Sequence, residues 1–203
     1  MRTMTDEWGR MERERSVTLA DGSSVVMRPI EPDDRARLAA AHVRLSPESQ
    51  YRRYFGAKPR LSQHELDYLT RVDHRAHEAI VAIDPVSGDG VGVARYVRTA
   101  PGVAEPAFVI AEEWRGRGLA SRLLEALAER AQEEAIERFE ASVLATNREA
   151  ISLLARLGKT TYRSRGREVD VHVELSAGAA GTRDSSSSDR ARSSSSEARQ
   201  TRA

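Results

Sequence analysis

Residues 104–124, AEPAFVIAEEWRGRGLASRLL, restrict the fold of this chain more than any other stretch. The apolar run Ala104 to Ala111 reads as a strand. A short polar turn leads into Arg115-Gly116-Arg117-Gly118-Leu119-Ala120. An amphipathic helix follows, with Leu123, Leu124, Leu127, Ala128 and Ala131 at 3.6-residue spacing. Glycines at such a strand-to-helix junction let the backbone pass close to a bulky ligand. The first helical turn offers unpaired N–H groups and a partial positive charge. Together these favour a phosphate or pyrophosphate, and Arg115, Arg117 and Arg122 add formal charge. The bare R-x-x-G-x-A string is weak; its strand, turn and helix context gives it meaning. Two other nucleotide sites fail on spacing. No G-x-x-x-x-G-K-[ST] occurs, and Gly88, Gly90 and Gly92 lie between two pairing strands rather than before a helix.

The remaining segments alternate in period. Val17 to Leu19 and Val25 to Arg28 flank Asp21-Gly22, a two-residue hairpin signal. Glu31-Pro32-Asp33-Asp34 opens a helical stretch with Leu38, Ala41 and Leu45 on one face. Ser46-Pro47-Glu48 starts a second short helix, and Ser62-Gln63-His64-Glu65 is a capping box for a third. Ala79 to Ile83 and Val91 to Val97 read as paired antiparallel strands. Phe139 to Leu144 is a further strand, Ala150 to Leu157 a helix, and Val169 to Leu175 a closing strand with period-2 alternation. The sum is an α+β layer around a mixed, mostly antiparallel sheet.

Composition sets the limits of that layer. The chain has 203 residues, enough for one domain and short of two ordinary ones. Residues 1–15 are charged and aperiodic and read as a flexible arm. From 176 to 203 the chain is Ser, Arg, Ala and Gly, too poor in apolar groups to repay ordering, and reads as a disordered tail. The folded unit is therefore expected over 16–175. No apolar run approaches the roughly 18 residues of a membrane span, and no secretion signal is visible. A cytoplasmic location is expected. Absence of cysteine excludes disulfides and thiolate chemistry, and a net charge of +1 argues against bulk nucleic-acid binding. His74 and His77 lack an acidic or cysteine partner in the sequence, so no metal site is expected.

The junction RGRGLA matches the [QR]-x-x-G-x-[GA] signature of the GNAT acetyltransferase superfamily. DGSSVVMRPIEPDD, SPESQYRRYF, LTRVDHRAHEAIVAI, GVGVARYV, AEPAFVIAEEWRGRGLA and VLATNREAISLLARLG occur in a matching order. The chain most resembles the GNAT domain of bacterial Pat-type protein lysine acetyltransferases. The resemblance implies a GNAT fold, with a V-shaped opening between two splayed strands, here Phe108 to Ala111 and Ser142 to Ala145. It implies acetyl-CoA as co-substrate and no metal. The pantetheine arm is expected on the strand backbone at Val109, Ile110 and Ala111. Its pyrophosphate is expected at Arg115, Gly116, Arg117, Gly118, Leu119 and Ala120, and Asn147 is expected either to bond the arm or simply to cap a helix.

Acetyl transfer to an amine needs a base, a polarised thioester and close positioning. Glu105 occupies the position of the family's catalytic glutamate, and its neighbours Ala104, Pro106, Ala107 and Phe108 predict partial desolvation. By alternation Glu105, Ala107 and Val109 share a face. Glu112 and Glu113 are expected to face solvent. Two positions depart from the family pattern. Pro106 stands in a central strand, where proline implies a bulge or a strand start. Leu154 stands where many members carry the tyrosine that protonates the departing thiolate, leaving water, the acceptor, or Tyr96 or Tyr162 for that role. Tyr51, Tyr54 and Phe55 read as core contacts or, failing that, as lining of the acceptor cleft; Arg95 and Tyr96 could reach the same cleft. The acceptor is a primary amine, either a protein lysine or a small molecule. Two other readings remain open: an acetyl-CoA sensor without turnover, and a nucleic-acid adaptor acting through the tail.

Overall fold

The computed structural model describes residues 14–176. The proposed arm and tail lie outside the described residues, apart from Glu14, Arg15 and Ser176. Strands β1 (Arg15–Thr18) and β2 (Ser24–Pro29) open the chain, followed by helices α1 (Arg35–Val43), α2 (Pro47–Tyr54) and α3 (Gln63–Thr70). Strands β3 (His77–Ile83), β4 (Gly90–Ala100) and β5 (Val103–Ile110) come next. Helix α4 (Leu119–Glu133), β6 (Arg138–Leu144), α5 (Arg148–Ala155), β7 (Gly158–Arg165) and β8 (Glu168–Leu175) complete the order. The strands form one sheet in the order β1-β2-β3-β4-β5-β6-β8-β7. Every neighbouring pair is antiparallel except β5 and β6, which α4 connects in parallel. None of the helices among the described residues is long and apolar enough to cross a membrane.

The core lies mainly between the sheet and α4. Leu119, Leu123, Leu124, Leu127 and Ala131 are buried there, as their spacing predicts, against Ala94, Tyr96, Phe139 and Val171. Gly92 permits that approach. A Cβ at this position would come within 2.9 Å of Leu123 Cδ1 and 3.0 Å of Ile110 Cδ1. Helices α1 to α3 cover the other face of the central strands, and β3 is buried along its whole length.

Two sequence expectations need correction. The β1–β2 turn has three residues, Ala20 to Gly22, because Leu19 N–H still bonds Ser23 O at 2.8 Å; Gly22 takes the left-handed conformation that closes such turns. Strand β7 was not foreseen. It is the outermost strand, exposed at most positions, so its sequence lacks the alternation that betrays a half-buried strand.

Candidate active site

The β5–β6 pairing ends almost as soon as it starts. Val103 and Ala104 pair with Arg138 and Phe139, and no further register follows. Beyond that point the strands part and enclose an open cleft of about 950 Å³. Its walls include Glu105 to Ile110 of β5, Ala141 to Val143 of β6, Ser49, Arg115 and Asn147.

Backbone alternation decides which groups face this opening. Ala111 N–H donates to Val91 O at 2.9 Å. In an antiparallel ladder the same side is then used by Val109, Ala107 and Glu105, so the backbones of Pro106, Phe108 and Ile110 face the gap. Of the three strand residues expected to bind through their backbone, Ile110 therefore presents free groups. Val109 and Ala111 spend theirs on β4, although the Val109 side chain still lines the cleft. Phe108, within the strand expected to bond the arm, also turns its backbone to the gap, as the register reveals. Pro106 also becomes intelligible. It sits in the ladder opposite Tyr96 without the anticipated bulge, and its missing N–H lies on the side that β6 has left.

At one end of the cleft the chain passes through the glycine turn into α4. Gly116 and Gly118 have φ of 73° and 87°. A Cβ at either would meet no protein atom within 4 Å, so within the protein itself it is the backbone conformation that favours glycine. Helices α2, α3 and α5 are capped by Ser46, Ser62 and Asn147, whereas α4 starts at Gly118 with no side-chain cap and no acid in its first turn. Its leading N–H groups, including those of Leu119 and Ala120, are left to an anion. The three arginines are not free charges. Arg115 pairs with Glu112 at 2.6 Å, Arg117 with Asp21 at 3.2 Å and Arg122 with Glu125 at 3.2 Å. Arg117 also lies over the Trp114 ring at 4.9 Å, and its carbonyl accepts from Ala20 N–H at 3.2 Å, so the β1–β2 turn braces the loop.

Glu112 departs from its expected solvent-facing role. It accepts from Ser46 N–H at 3.3 Å and from Ser49 Oγ, and so fastens α2 to the glycine turn. Burial works to raise its pKa, but these bonds and Arg115 outweigh burial and hold the carboxyl below its usual range. Glu113 is exposed, as expected.

Glu105 stands at the cleft wall and shares a face with Ala107 and Val109, opposite Val97, Arg95 and Val93. It is exposed, not partly desolvated. Its apolar neighbours Ala104 and Pro106 point to the opposite face and are buried there, so they do not shield it.

Asn147 Oδ1 accepts from Ala150 N–H at 3.3 Å, the helix cap, and the residue lines the cleft. Leu154 is buried beside it. Neither tyrosine named as a proton donor reaches this place. Tyr96 is fully buried on the α4 face and donates to Arg75 O at 3.2 Å, and burial raises its pKa further. Tyr162 lies on the outer strand β7. Tyr51 and Phe55 are exposed rather than core; Phe55 lines the cleft and Tyr54 a second cavity beside it. His74 does have an acidic partner, Glu78, at 2.8 Å, part of a buried cluster with Arg130.

A family model described as the acetyltransferase (GNAT) family matches residues 43–159, more than half of the chain. The chain belongs to the acetyltransferase (GNAT) family. GNAT relatives include acetyltransferase Pat of Mycolicibacterium smegmatis, 32% identical over 72% of this chain and 44% of that protein. This chain thus matches under half of that relative's length. Acetyltransferase PA5475 of Pseudomonas aeruginosa is 31% identical over 70% of this chain and 77% of that protein. Among solved structures, the GNAT domain of S. lividans PAT superposes with a TM-score of 0.73 at 32% identity, covering 80% of this chain and 97% of that one. This is the fold and family of acetyl-CoA-dependent N-acetyltransferases, with the open mixed sheet and parted central strands that the sequence resemblance implied.

Proposed function

We propose that residues 16–175 form an N-acetyltransferase unit that moves the acetyl group of acetyl-CoA to a primary amine, with Glu105 as general base. One observation carries this reading. The parting of β5 and β6 joins, in a single cleft, an uncapped helix start, unused strand backbone and a carboxylate. The residues fit the donor chemically. Amides from Gly118 to Ala120 suit a diphosphate, while Phe108 and Ile110 suit an amide-bearing arm. Acetyl-CoA supplies a thioester-activated acetyl group. The protein binds and orients it, and Glu105 takes the proton lost by the attacking amine. The side chain of Leu154 cannot protonate the sulfur, so that proton comes from water or from the acceptor. Likeness to proteins named Pat supports a protein lysine as acceptor. A cytoplasmic setting follows from the need for acetyl-CoA.

The test is Glu105→Gln. Turnover should fall by about 10²–10⁴-fold while coenzyme A affinity, measured by calorimetry, stays within twofold. Comparable turnover in the variant removes Glu105 from the mechanism. Leu154 favours a second reading, an acetyl-CoA sensor. Absence of thiol release with every amine tried, alongside intact coenzyme A binding, would select it.

A further inference from the structure

On the sheet face covered by α1 to α3, a second cavity adjoins the cleft and shares Arg53, Ala107, Phe108 and Val109 with it. Arg95 projects from β4 opposite Ala107 and diagonal to Glu105. It is 6% exposed. Its Nη1 donates to Leu69 O at 3.3 Å and lies 3.2 Å from His77 Nε2, and no carboxylate pairs with it among the described residues. Asp34, the one acid lining the cavity, is held by Arg28 at 2.7 and 2.8 Å and by Arg37. Arg53 lies over the Tyr54 ring at 5.1 Å and also lacks an acidic partner among the described residues.

The other buried arginine shows the contrast. Arg130 is ringed by Glu78, Glu133 and Glu134. A buried guanidinium without a counter-ion is unfavourable, and the half-buried Arg53 on the same cavity repels it further. Burial first, and Arg53 second, lower the Arg95 pKa to about 10, which leaves it charged at neutral pH.

We propose that Arg95, assisted by Arg53, binds a carboxylate carried by the amine acceptor, so that the acceptor is a small amino acid-like molecule. This rests on the acetyltransferase reading and selects a small-molecule acceptor over the protein lysine that likeness to Pat supports. Arg95 and Glu105 occupy diagonal positions on one sheet face, their backbones about 7–8 Å apart, and the cavity and the cleft meet at Ala107, Phe108 and Val109, so a molecule with several bonds between carboxylate and amine can extend from one to the other. Arginine suits the task because its fork meets both carboxylate oxygens.

The experiment titrates the full chain, saturated with coenzyme A, with 3-aminopropanoate, 5-aminopentanoate and 5-aminopentanamide, and with lysine peptides carrying either glutamate or glutamine beside the lysine. The carboxylate should bind roughly tenfold or more tightly than its amide. Arg95→Met should bring the two within twofold, Arg95→Lys should restore part of the difference, and the peptides should show no glutamate preference. Equal affinity of acid and amide for the unaltered protein overturns the proposal, as does a preference that survives Arg95→Met. A preference confined to the glutamate peptide overturns the small-molecule assignment. Should Arg95→Met fail to fold, by melting midpoint and coenzyme A affinity, Arg53→Gln and the unaltered protein decide. Thiol release, followed on the same ligands with acetyl-CoA in place of coenzyme A, is read separately. Carboxylate preference without release refutes acetyl transfer and leaves the anion site standing, whereas release without preference does the reverse.

Discussion

Gly118 shows how a single residue's role changes between sequence and structure. The sequence suggests that glycine lets a ligand come close; the structure adds a left-handed backbone, with no protein atom near the position a Cβ would take. A β-branched residue at φ of 87° is strained by about 1–3 kcal/mol, while asparagine tolerates that region. Gly118→Val should therefore weaken coenzyme A binding about tenfold or more in calorimetry, and Gly118→Asn far less. Equal losses would favour steric obstruction. His77 makes a different prediction. Burial foremost, then the charge of Arg95, pushes its pKa down to about 4. The unfolded imidazole takes its proton near pH 6.5, the folded one only near 4. Stability should then be fully present above about pH 6.5 and fall, by up to ~1.4 kcal/mol per pH unit, as pH drops towards 4. Denaturant midpoints at pH 7 and pH 5 should show this loss, and His77→Gln should reduce it. Asp73 and Glu78 oppose the shift, and His74 reinforces it. Arg117 was legible as a residue but not as an ion pair, because its partner Asp21 is brought to it by tertiary approach, whereas Glu112 pairs with Arg115 locally, three residues away.

Elements with a buried side announced themselves. The capping boxes, the leucine stripe of α4 and the apolar runs of β3 to β6 all carry a period that follows from burial on one or both faces. Strand β7 carries none, since it is exposed along most of its length. Its pairing with β8 depends instead on close backbone contact at Gly158, where a Cβ would fall 1.9 Å from Glu174 O. Gly158→Ala must push the strands apart and should destabilise the protein by about 1–3 kcal/mol. Urea unfolding checks this. Because β7 is separated from β5 by two strands, coenzyme A affinity should be unchanged.

At the scale of the molecule, the order of segments made the family recognisable, and the family supplied the parted strands. What no one-dimensional reading could supply was adjacency. The cavity beside the cleft exists because β4 lies next to β5 and α1 to α3 fold back over both, bringing Arg53 and Arg95, far apart in the chain, onto one wall. The expected desolvation of Glu105 failed for a related reason. Its sequence neighbours alternate across the sheet, whereas its spatial neighbours come from other strands.

The divergence of β5 from β6 has a further implication for handling the protein. It creates a rim of hydrogen-bonding groups in the middle of a sheet, where most folds have none. Such rims invite foreign strands, and proteins commonly blunt them with residues that cannot donate. Pro106 stands at the entrance to this one. The same residue that looks out of place for catalysis is thus well placed to discourage self-association, and replacing it would trade solubility for a more regular strand.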